Sequence, residues 1–325
     1  MTISIGFEST AHTFGVAIVN EKCEVLANEK HTHTTESGGL IPRELAEHHE
    51  KYALPVLLAA LEKSKKKLSD IDVYAFSQGP GIGPALKFGA YVCRALAIEQ
   101  KKPLLGVNHG VGHIEIGKAL TGAKDPLTVY ASGGNTQIIG LDRGRYRVFG
   151  ETLDVGVGNL LDSFGRSLSI GFPAGPKIDE KYFLGKNLIS LPYSVKGMDL
   201  VFSGLLTAAE QKIGKVDEND LCFSLMHTAF AELTEVTERA LAHTGKKEVL
   251  LTGGVAASRA LQQMMKTMCD ERGVDFFVPP AWACGDSGLL PAWLGLVEYN
   301  AGIRMALSET TVNQRQRVDE IDVVW

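Results

Sequence analysis

The sequence predicts an α/β fold built from two related halves. Short apolar strands, glycine-bearing turns and helices alternate along the chain, as they do in α/β proteins. A strand–turn–strand unit opens the chain over residues 3–19, and a similar unit returns over residues 127–149. The 325 residues also exceed one ordinary domain of about 100–200 residues. We therefore expect an N-terminal lobe over residues 1–125 and a C-terminal lobe over residues 126–300, with residues 301–325 able to pack back on the first lobe.

Composition narrows the class of protein. Hydrophobic residues make up 45% and charged residues 22%, which is typical of a globular protein. A net charge of −5 is unusual for a dedicated nucleic-acid binder, so nucleic acid would have to meet a local basic patch or a partner protein. The five cysteines are scattered without a Cys-x-x-Cys pair, and the N-terminus has no signal-peptide pattern. No apolar run has membrane length, so we expect a cytoplasmic protein with no membrane contact.

In the first half, the turn Glu8–Thr13 can present backbone N–H groups to an anion, or it can be an ordinary hairpin turn. A polar loop is predicted over His31–Gly39. Helix is predicted over Pro42–Lys67, where Pro55 should kink or divide it and where His48 and His49 are expected on a solvated face. The other predicted elements are strands at Ile3–Phe7, Phe14–Val19, Glu24–Asn28, Ile71–Phe76 and Pro103–Val107, and helices at Ala85–Gln100 and Ile114–Leu120.

In the second half, the hairpin unit is followed by helices and buried-type strands. Gly171–Pro176 is predicted to be a rigid turn, because it contains Pro173 and Pro176 beside glycines. The predicted strands are Leu127–Tyr130, Gln137–Leu141, Tyr146–Phe149, Val249–Thr252 and Phe276–Val278, and the predicted helices are Gly156–Gly171, Asp220–His243, Ser258–Asp270 and Leu289–Asn300.

Two histidines four residues apart, His109 and His113, indicate a possible metal pair. On a helix this spacing puts both imidazoles on one face. The metallopeptidase pattern His-Glu-x-x-His is not present, because Gly110 follows His109. Gly110 and Gly112 make the segment a poor helix, so two surface histidines in a flexible turn remain the alternative. Imidazole ligands suit iron, zinc or manganese, and the spacing does not choose among them.

Glycine turns after short strands favour a bound nucleotide. Ser132–Thr136 and Gly253–Gly254 each follow an apolar strand, and oriented N–H groups in such turns stabilise phosphate. Neither matches the P-loop or dinucleotide pattern, so each can also be a simple turn. Carboxylates in or near polar turns are candidates for ribose hydroxyls, a metal or a metal-bound water, or are helix caps and turn formers: Glu8, Asp162, Asp179 and Asp286.

Several segments resemble a known family over nearly the whole chain. They are FESTAHTFGVAIV, AFSQGPGIGPAL, GVNHGVGHIEI, VYASGGNTQIIGL, FGETLDVGVGNLLD, GFPAGPK, VKGMDLVFSGLLT and LLTGGVAAS. They are similar to the universal tRNA threonylcarbamoyladenosine synthesis family, whose archaeal and eukaryotic members are the catalytic subunit of the KEOPS complex. The resemblance implies the duplicated actin, hexokinase and Hsp70-type ATPase fold, with two lobes and a cleft between them. It also implies transfer of a threonylcarbamoyl group from threonylcarbamoyl-AMP to N6 of adenosine 37, in tRNAs that read codons starting with A.

Carried over by position, the resemblance implies a site. It implies one divalent metal ion per subunit, iron or zinc, and an adenine nucleotide bound as the donor or as ATP or AMP. The implied metal ligands are His109, His113, Tyr130 and Asp286. The implied nucleotide-binding residues are Tyr130, Ala131, Ser132, Gly133, Gly134, Asp162, Gly175, Asp179 and Ser258. Ser258 stands where the family commonly has Asn, and Glu8 and His12 are candidates for the catalytic, acyl-transfer end.

The implied partners are the tRNA anticodon stem-loop and three KEOPS subunits: a dimerising small subunit, a small protein kinase and a fourth accessory subunit. Two other functions stay open at this point. A metabolite kinase of the same fold would need a catalytic Asp beside a sugar pocket. A metallopeptidase would fit the family's former description as an O-sialoglycoprotein endopeptidase.

Overall fold

The first β-sheet is formed by the N-terminal half of the chain. The computed structural model describes residues 1–36 and 39–325, so Ser37 and Gly38 of the predicted polar loop lie outside the described residues. The strands are β1 (Ile3–Glu8), β2 (Thr13–Asn20), β3 (Val25–Thr32), β4 (Val73–Gly79) and β5 (Leu104–Asn108). Their order is β3-β2-β1-β4-β5. β1 to β3 form an antiparallel meander, and β4 and β5 continue the sheet in parallel with β1.

The second sheet repeats this arrangement in the C-terminal half. The strands are β6 (Leu127–Ala131), β7 (Thr136–Asp142), β8 (Arg145–Glu151), β9 (Val195–Lys196), β10 (Asp199–Leu200), β11 (Glu248–Thr252) and β12 (Asp275–Phe277). The sheet order is β12-β11-β6-β7-β8, and β9 pairs with β10 in a separate short ribbon. β6 to β8 are antiparallel, whereas β11 and β12 run parallel to β6. Strand order and direction match the first sheet, which confirms the prediction of two related halves.

Helices connect and cover the strands: α1 (Pro42–Ser64), α2 (Gly83–Gln100), α3 (His109–Thr121), α4 (Val157–Ser167), α5 (Gly175–Tyr182), α6 (Ser203–Glu210), α7 (Glu218–Thr244), α8 (Arg259–Arg272), α9 (Ala281–Cys284) and α10 (Leu289–Asn300). The predicted division at Pro55 is wrong, because α1 runs through this residue. Packing of α1 against α2, β2 and β3 holds the helix together despite the lost backbone donor. No helix of the described residues combines the length and the apolar character that crossing a membrane requires.

The start of α3 also differs from the prediction. The helix begins at His109 rather than at Ile114, and Gly110 and Gly112 lie inside its first turns. Asn108 caps it, since its side chain accepts a hydrogen bond from Val111 N at 3.0 Å. A Cβ at Gly110 would lie 2.6 Å from Val318 Cγ1, and one at Gly112 would lie 3.1 Å from Leu290 Cβ. The glycines are therefore sites of close packing, and this packing orders the turn.

A buried cluster joins the two sheets. It includes Val73 of β4, Val111 of α3, Tyr130 of β6 and Leu290 of α10. α10 packs mainly against β1, β4 and α3, although the predicted division assigns residues 289–300 to the C-terminal lobe. Cys23, Cys93, Cys222, Cys269 and Cys284 are all free thiols.

Candidate functional site

Three of the predicted metal ligands meet at the junction of the two sheets. Strand β5 leads directly into α3, which presents His109 and His113 with ring centroids 4.8 Å apart. Asp286 follows α9 and reaches the same point. Its Oδ1 lies 3.5 Å from His109 Nε2 and 3.3 Å from His113 Nε2. One ligand atom from each of the three residues lies within 4.8 Å of the others, which is close enough for one cation to contact all three.

Glu8 lies behind His109 and fixes its orientation. Glu8 Oε2 is 3.0 Å from His109 Nδ1, so the other nitrogen, Nε2, is left to face Asp286. Ser77 Oγ donates to Glu8 Oε2 at 2.6 Å, and Thr10 N donates to Glu8 Oε1 at 2.7 Å. The Glu8 side chain is 0% exposed. This is the carboxylate–histidine arrangement that holds metal-binding imidazoles in proteins.

Charge is concentrated at these residues. Burial opposes ionisation, but Tyr130, Glu8 and Asp286 raise the pKa of His109 well above its usual value. Burial would likewise raise the pKa of Asp286, yet the charge and hydrogen bond of His109 hold it well below the usual value. Burial lowers the pKa of His113, which favours the neutral imidazole that binds metals. The carboxylates of Glu8 and Asp286 thus stabilise positive charge between them.

Tyr130, the fourth predicted ligand, lies at the end of β6 beside these histidines. Its ring centroid is 5.0 Å from that of His113, and its side chain is 2% exposed. Burial raises the pKa of Tyr130, while His109 lowers it. His113 Nδ1 is buried and finds no hydrogen-bond partner among residues 1–36 and 39–325. Two imidazoles, a carboxylate and a phenol form a donor set that suits iron or zinc, so the residues fit the predicted metal.

The predicted glycine turn begins at Ser132, two residues after this tyrosine. Ala131 ends β6, and Ser132 N donates to Asn135 O at 2.8 Å across the turn. Gly158 N donates to Ser132 O and Asn159 N to Gly133 O, both at 3.0 Å, so the start of α4 clamps the turn from one side. Beyond Gly133, a Cβ added at Gly134 would meet no atom within 4 Å, which leaves that part of the turn open to a ligand.

The second glycine turn packs against the first. Gly253 has φ of +96°, and a Cβ there would lie 2.3 Å from Ala131 O. Only glycine fits both this backbone conformation and this approach. Gly253–Gly254 and Ser132–Thr136, separated by more than a hundred residues, therefore belong to one surface.

The remaining predicted nucleotide-binding residues meet on the C-terminal lobe. Ser258 caps α8 and donates to Asp179 Oδ1 at 2.5 Å. Asp162 Oδ1 on α4 accepts a hydrogen bond from Ala174 N at 2.8 Å, next to Gly175 at the start of α5. Burial raises the pKa of Asp162, although the Ala174 N–H lowers it. The fold brings α4, α5 and α8 together here, and no local sequence pattern predicts this contact.

His12 lies in the turn between β1 and β2, where the first lobe meets the second. Its ring stands edge-on to Phe172 with centroids 5.1 Å apart. Thr35 and Phe172 pair through their backbones, with Phe172 N donating to Thr35 O at 2.8 Å. Burial lowers the pKa of His12, while the charges of Asp286 and Asp162 raise it, so the ring is close to both sets of predicted residues. A neutral imidazole here can accept a proton.

The expectation that His48 and His49 are solvated is wrong. Their exposed fractions are 8% and 0%. His31 Nδ1 lies 2.7 Å from His48 Nε2, and His48 Nδ1 lies 3.1 Å from His49 Nδ1. The two histidines share the buried face of α1 with Leu45, Ala53 and Val56, and this helical spacing is the signal that could have revealed them.

Comparisons with known proteins agree with this geometry. The sequence profile described as tRNA N6-adenosine threonylcarbamoyltransferase matches residues 23–293. A protein of that name from Thermococcus kodakarensis is 54% identical over 99% of this chain and 99% of its own length. A probable bifunctional tRNA threonylcarbamoyladenosine biosynthesis protein from Methanocaldococcus jannaschii is 50% identical, and the match covers 99% of this chain and 60% of that protein.

Solved structures at low sequence identity support the fold. The activator of 2-hydroxyisocaproyl-CoA dehydratase from Clostridium difficile, with bound ADPNP, has a TM-score of 0.57 at 11% identity, covering 94% of this chain and 98% of that one. HypF from T. kodakarensis has a TM-score of 0.63 at 15% identity, covering 92% of this chain and 48% of that one. The predicted actin, hexokinase and Hsp70-type fold is confirmed. With the profile match and the relatives that share half of its residues, this chain belongs to the tRNA N6-adenosine threonylcarbamoyltransferase family.

Proposed function

We propose that this chain transfers a threonylcarbamoyl group from threonylcarbamoyl-AMP to N6 of adenosine 37, in tRNAs that read codons starting with A. Membership of the transferase family supports the reaction class. The observation that carries the proposal is the continuity of the site: Tyr130 borders His113 at 5.0 Å between centroids and leads straight into the glycine turn. A metal-binding set and a phosphate-binding turn can therefore hold the two ends of one donor molecule.

The donor's adenylate end fits the C-terminal lobe. Backbone N–H groups around Gly133 and Gly134 stabilise its phosphate, as they do in other glycine turns. Asp179 and Ser258 offer a carboxylate and a hydroxyl to the ribose, and the space at Gly175 leaves room for the base, since a Cβ there meets only Leu161 Cδ1 at 4.0 Å. Free ATP or AMP is expected to use the same residues.

His109, His113, Asp286 and Tyr130 are the residues that would hold one iron or zinc ion. Such an ion supplies Lewis-acid polarisation of a carbonyl group. The chain's own contribution is orientation: Glu8, itself held by Ser77 and Thr10, keeps His109 Nε2 directed at Asp286.

The transfer forms a bond from adenine N6 to the carbamoyl carbon and breaks the bond from that carbon to the phosphate oxygen of AMP. N6 must also lose a proton. His12 is the proposed acceptor, since burial lowers its pKa and keeps the imidazole neutral near pH 7. Its place beside Phe172, at the contact of the two lobes, suits a base that is inserted from an anticodon loop.

Partners complete the proposal. The net charge of −5 supports tRNA binding that is shared with other subunits. We propose the KEOPS subunits as these partners: the dimerising small subunit, the small protein kinase and the fourth accessory subunit. A cytoplasmic location is proposed with them. The names of the relatives give no support to a metabolite kinase or a metallopeptidase.

The test is formation of threonylcarbamoyladenosine in an anticodon stem-loop, from threonylcarbamoyl-AMP, with and without partner subunits. We expect product and AMP in equal amounts, and no product from a stem-loop carrying guanosine at position 37. Changing His109 and His113 together to alanine should abolish both bound metal and product, while His243→Ala, on α7 away from the site, should keep both. Full transfer by a metal-free double variant would refute the metal role.

A further inference from the structure

The last part of the chain runs across both lobes and touches the first turn of α3. We call residues 301–325 the C-terminal tail. Beyond α10 it contains short 3₁₀ turns at Leu307–Glu309 and Val318–Glu320. Neither the resemblance nor the proposed reaction gives this segment a role.

The tail is first fastened to the end of β4. Gln78 Nε2 donates to Glu309 O at 2.8 Å and to Thr311 O at 2.7 Å, and Asn313 N donates back to Gln78 O at 2.9 Å. A Cβ on Gly79 would lie 1.8 Å from Asn313 O, so the two backbones are in direct contact. Gln78 itself is 8% exposed. These bonds fix the tail against the strand that also carries Ser77.

The tail then passes over the start of α3. Asn108 Nδ2 donates to Arg317 O at 3.3 Å, while the Oδ1 of the same side chain caps the helix. Val318 is 4% exposed, and its Cγ1 fills the space where Gly110 lacks a side chain. Val318 is β-branched, so few other rotamers are open to it that would relieve a clash with a side chain at position 110. Arg317 and Val318 therefore both contact the first turn of α3, which begins with His109.

Beyond this point the tail reaches β8 of the second sheet. Arg145 Nε lies 2.5 Å from Asp322 Oδ1, and Val323 N donates to Gly144 O at 2.8 Å. Arg317 Nη2 lies 3.5 Å from Glu151 Oε1. Because both ends of the crossing segment are attached, Val318 cannot move away from α3 without breaking contacts on one lobe or the other.

We propose that the C-terminal tail positions the metal-binding helix, with Val318 packed into Gly110 as the contact that sets the place of His109. This inference rests on the proposed metal site. A Cβ at position 110 and Val318 Cγ1 would have to separate by about 0.8 Å, from 2.6 Å to ordinary contact. Functional sites require their residues within about 0.5 Å of the working geometry. Asp286 lies on another segment and would not follow the shift.

The experiment uses the full chain and Zn²⁺ alone, with the dissociation constant measured by competition against a chromogenic chelator. Gly110→Ala should weaken Zn²⁺ binding at least tenfold. Adding Val318→Ala should restore binding to within threefold of the unmodified protein, because the new methyl group then occupies the vacated Cγ1 space. Val318→Ala alone should weaken Zn²⁺ binding at least threefold, because it removes the contact that sets the place of His109, and unchanged binding by this variant would overturn the role of the tail. Gly204→Ala is the matched control, since it adds the same methyl group to helix α6 where no atom lies within 4 Å.

The outcomes distinguish the role of the tail from the proposed metal site. Unchanged Zn²⁺ binding by Gly110→Ala, or a loss that Val318→Ala does not reverse, overturns the role of the tail. If Gly110→Ala does not fold, folding and Zn²⁺ binding of the double variant support the inference, and failure of the double variant to fold overturns it. Zn²⁺ binding that is unaffected by His109→Ala would instead refute the metal site itself, and the inference with it.

Discussion

Glu8 Oε2 lies 3.0 Å from His109 Nδ1, with the carboxylate completely buried. The family resemblance makes Glu8 a candidate for the acyl-transfer end, and its position behind the imidazole points to orientation of a ligand. Ser77, Thr10 and His109 enclose the Glu8 side chain, which holds the carboxylate behind the imidazole.

The first prediction concerns this carboxylate. Glu8→Gln keeps the size of the side chain but removes the charge that stabilises a cation at His109. We expect Zn²⁺ affinity to fall about 10–100-fold, as for other carboxylates behind a metal-binding histidine. Chelator competition measures the change, and Glu298→Gln, a buried carboxylate on α10 outside the metal set, is the control. Equal affinity in Glu8→Gln and the unmodified protein would contradict the orienting role.

The second prediction concerns the glycine turn. A Cβ at Gly158 would lie 2.7 Å from Gly133 Cα, and backbone cannot move aside cheaply. Gly158→Ala should therefore displace the Ser132–Thr136 turn and weaken AMP binding at least tenfold by calorimetry, while Gly204→Ala should not. In the unmodified protein AMP should slow hydrogen exchange at residues 132–136. A turn that AMP leaves unprotected would count against the proposed phosphate site.

The third prediction concerns stability at acid pH. Burial lowers the pKa of both His48 and His49 to about 4, whereas an unfolded histidine titrates near 6.5. The folded state favours the neutral rings. Their contribution to the free energy of unfolding is therefore complete above about pH 6.5 and is lost as the pH falls toward 4. Replacing both by glutamine should flatten the pH dependence of the free energy of unfolding in this window by roughly 2 kcal/mol. Urea unfolding at pH 4.5 and 7 checks this, and an unchanged slope would show that other groups dominate.

The fourth prediction concerns Glu298 on α10. Burial raises its pKa to about 8, while an unfolded glutamate titrates near 4.5. The folded state favours the protonated carboxyl, so stability is lost as the pH rises from about 4.5 through 8. The free energy of unfolding of Glu298→Gln, relative to that of the unmodified protein, should therefore rise by about 2–4 kcal/mol between pH 5 and pH 9. The measurement is urea unfolding at both pH values, and a constant difference between the two proteins would contradict the raised pKa of Glu298.

Local patterns predicted the fold better than they predicted the site. The two hairpin units gave the duplication, since alternating apolar strands and turns are local signals. Asp286 is 173 residues beyond His113 in the chain, and its polar turn marked it only as one of four candidate carboxylates. Tyr130 has no distinguishing local pattern, so only the family resemblance joined these two residues to the histidines. The predicted helix began at Ile114, too late in the chain, because the glycine at position 110 has a low intrinsic helix propensity. Its packing against Val318 depends on a contact that spacing within α3 cannot reveal.

The packing of α10 has a consequence for synthesis of the protein on the ribosome. A Cβ on Gly6, in the first strand, would lie 2.2 Å from Ala292 N, so β1 and α10 share one tight interface. The ribosome makes the N-terminus first, at about 5–20 residues per second. The face of β1 that packs on α10 therefore stays uncovered until nearly the whole sequence has been synthesised. Asp286 and Val318 arrive in the same late stretch. A chain that stops before Asp286 therefore has both histidines but lacks one of the proposed metal ligands, so the proposed site is completed only late in synthesis.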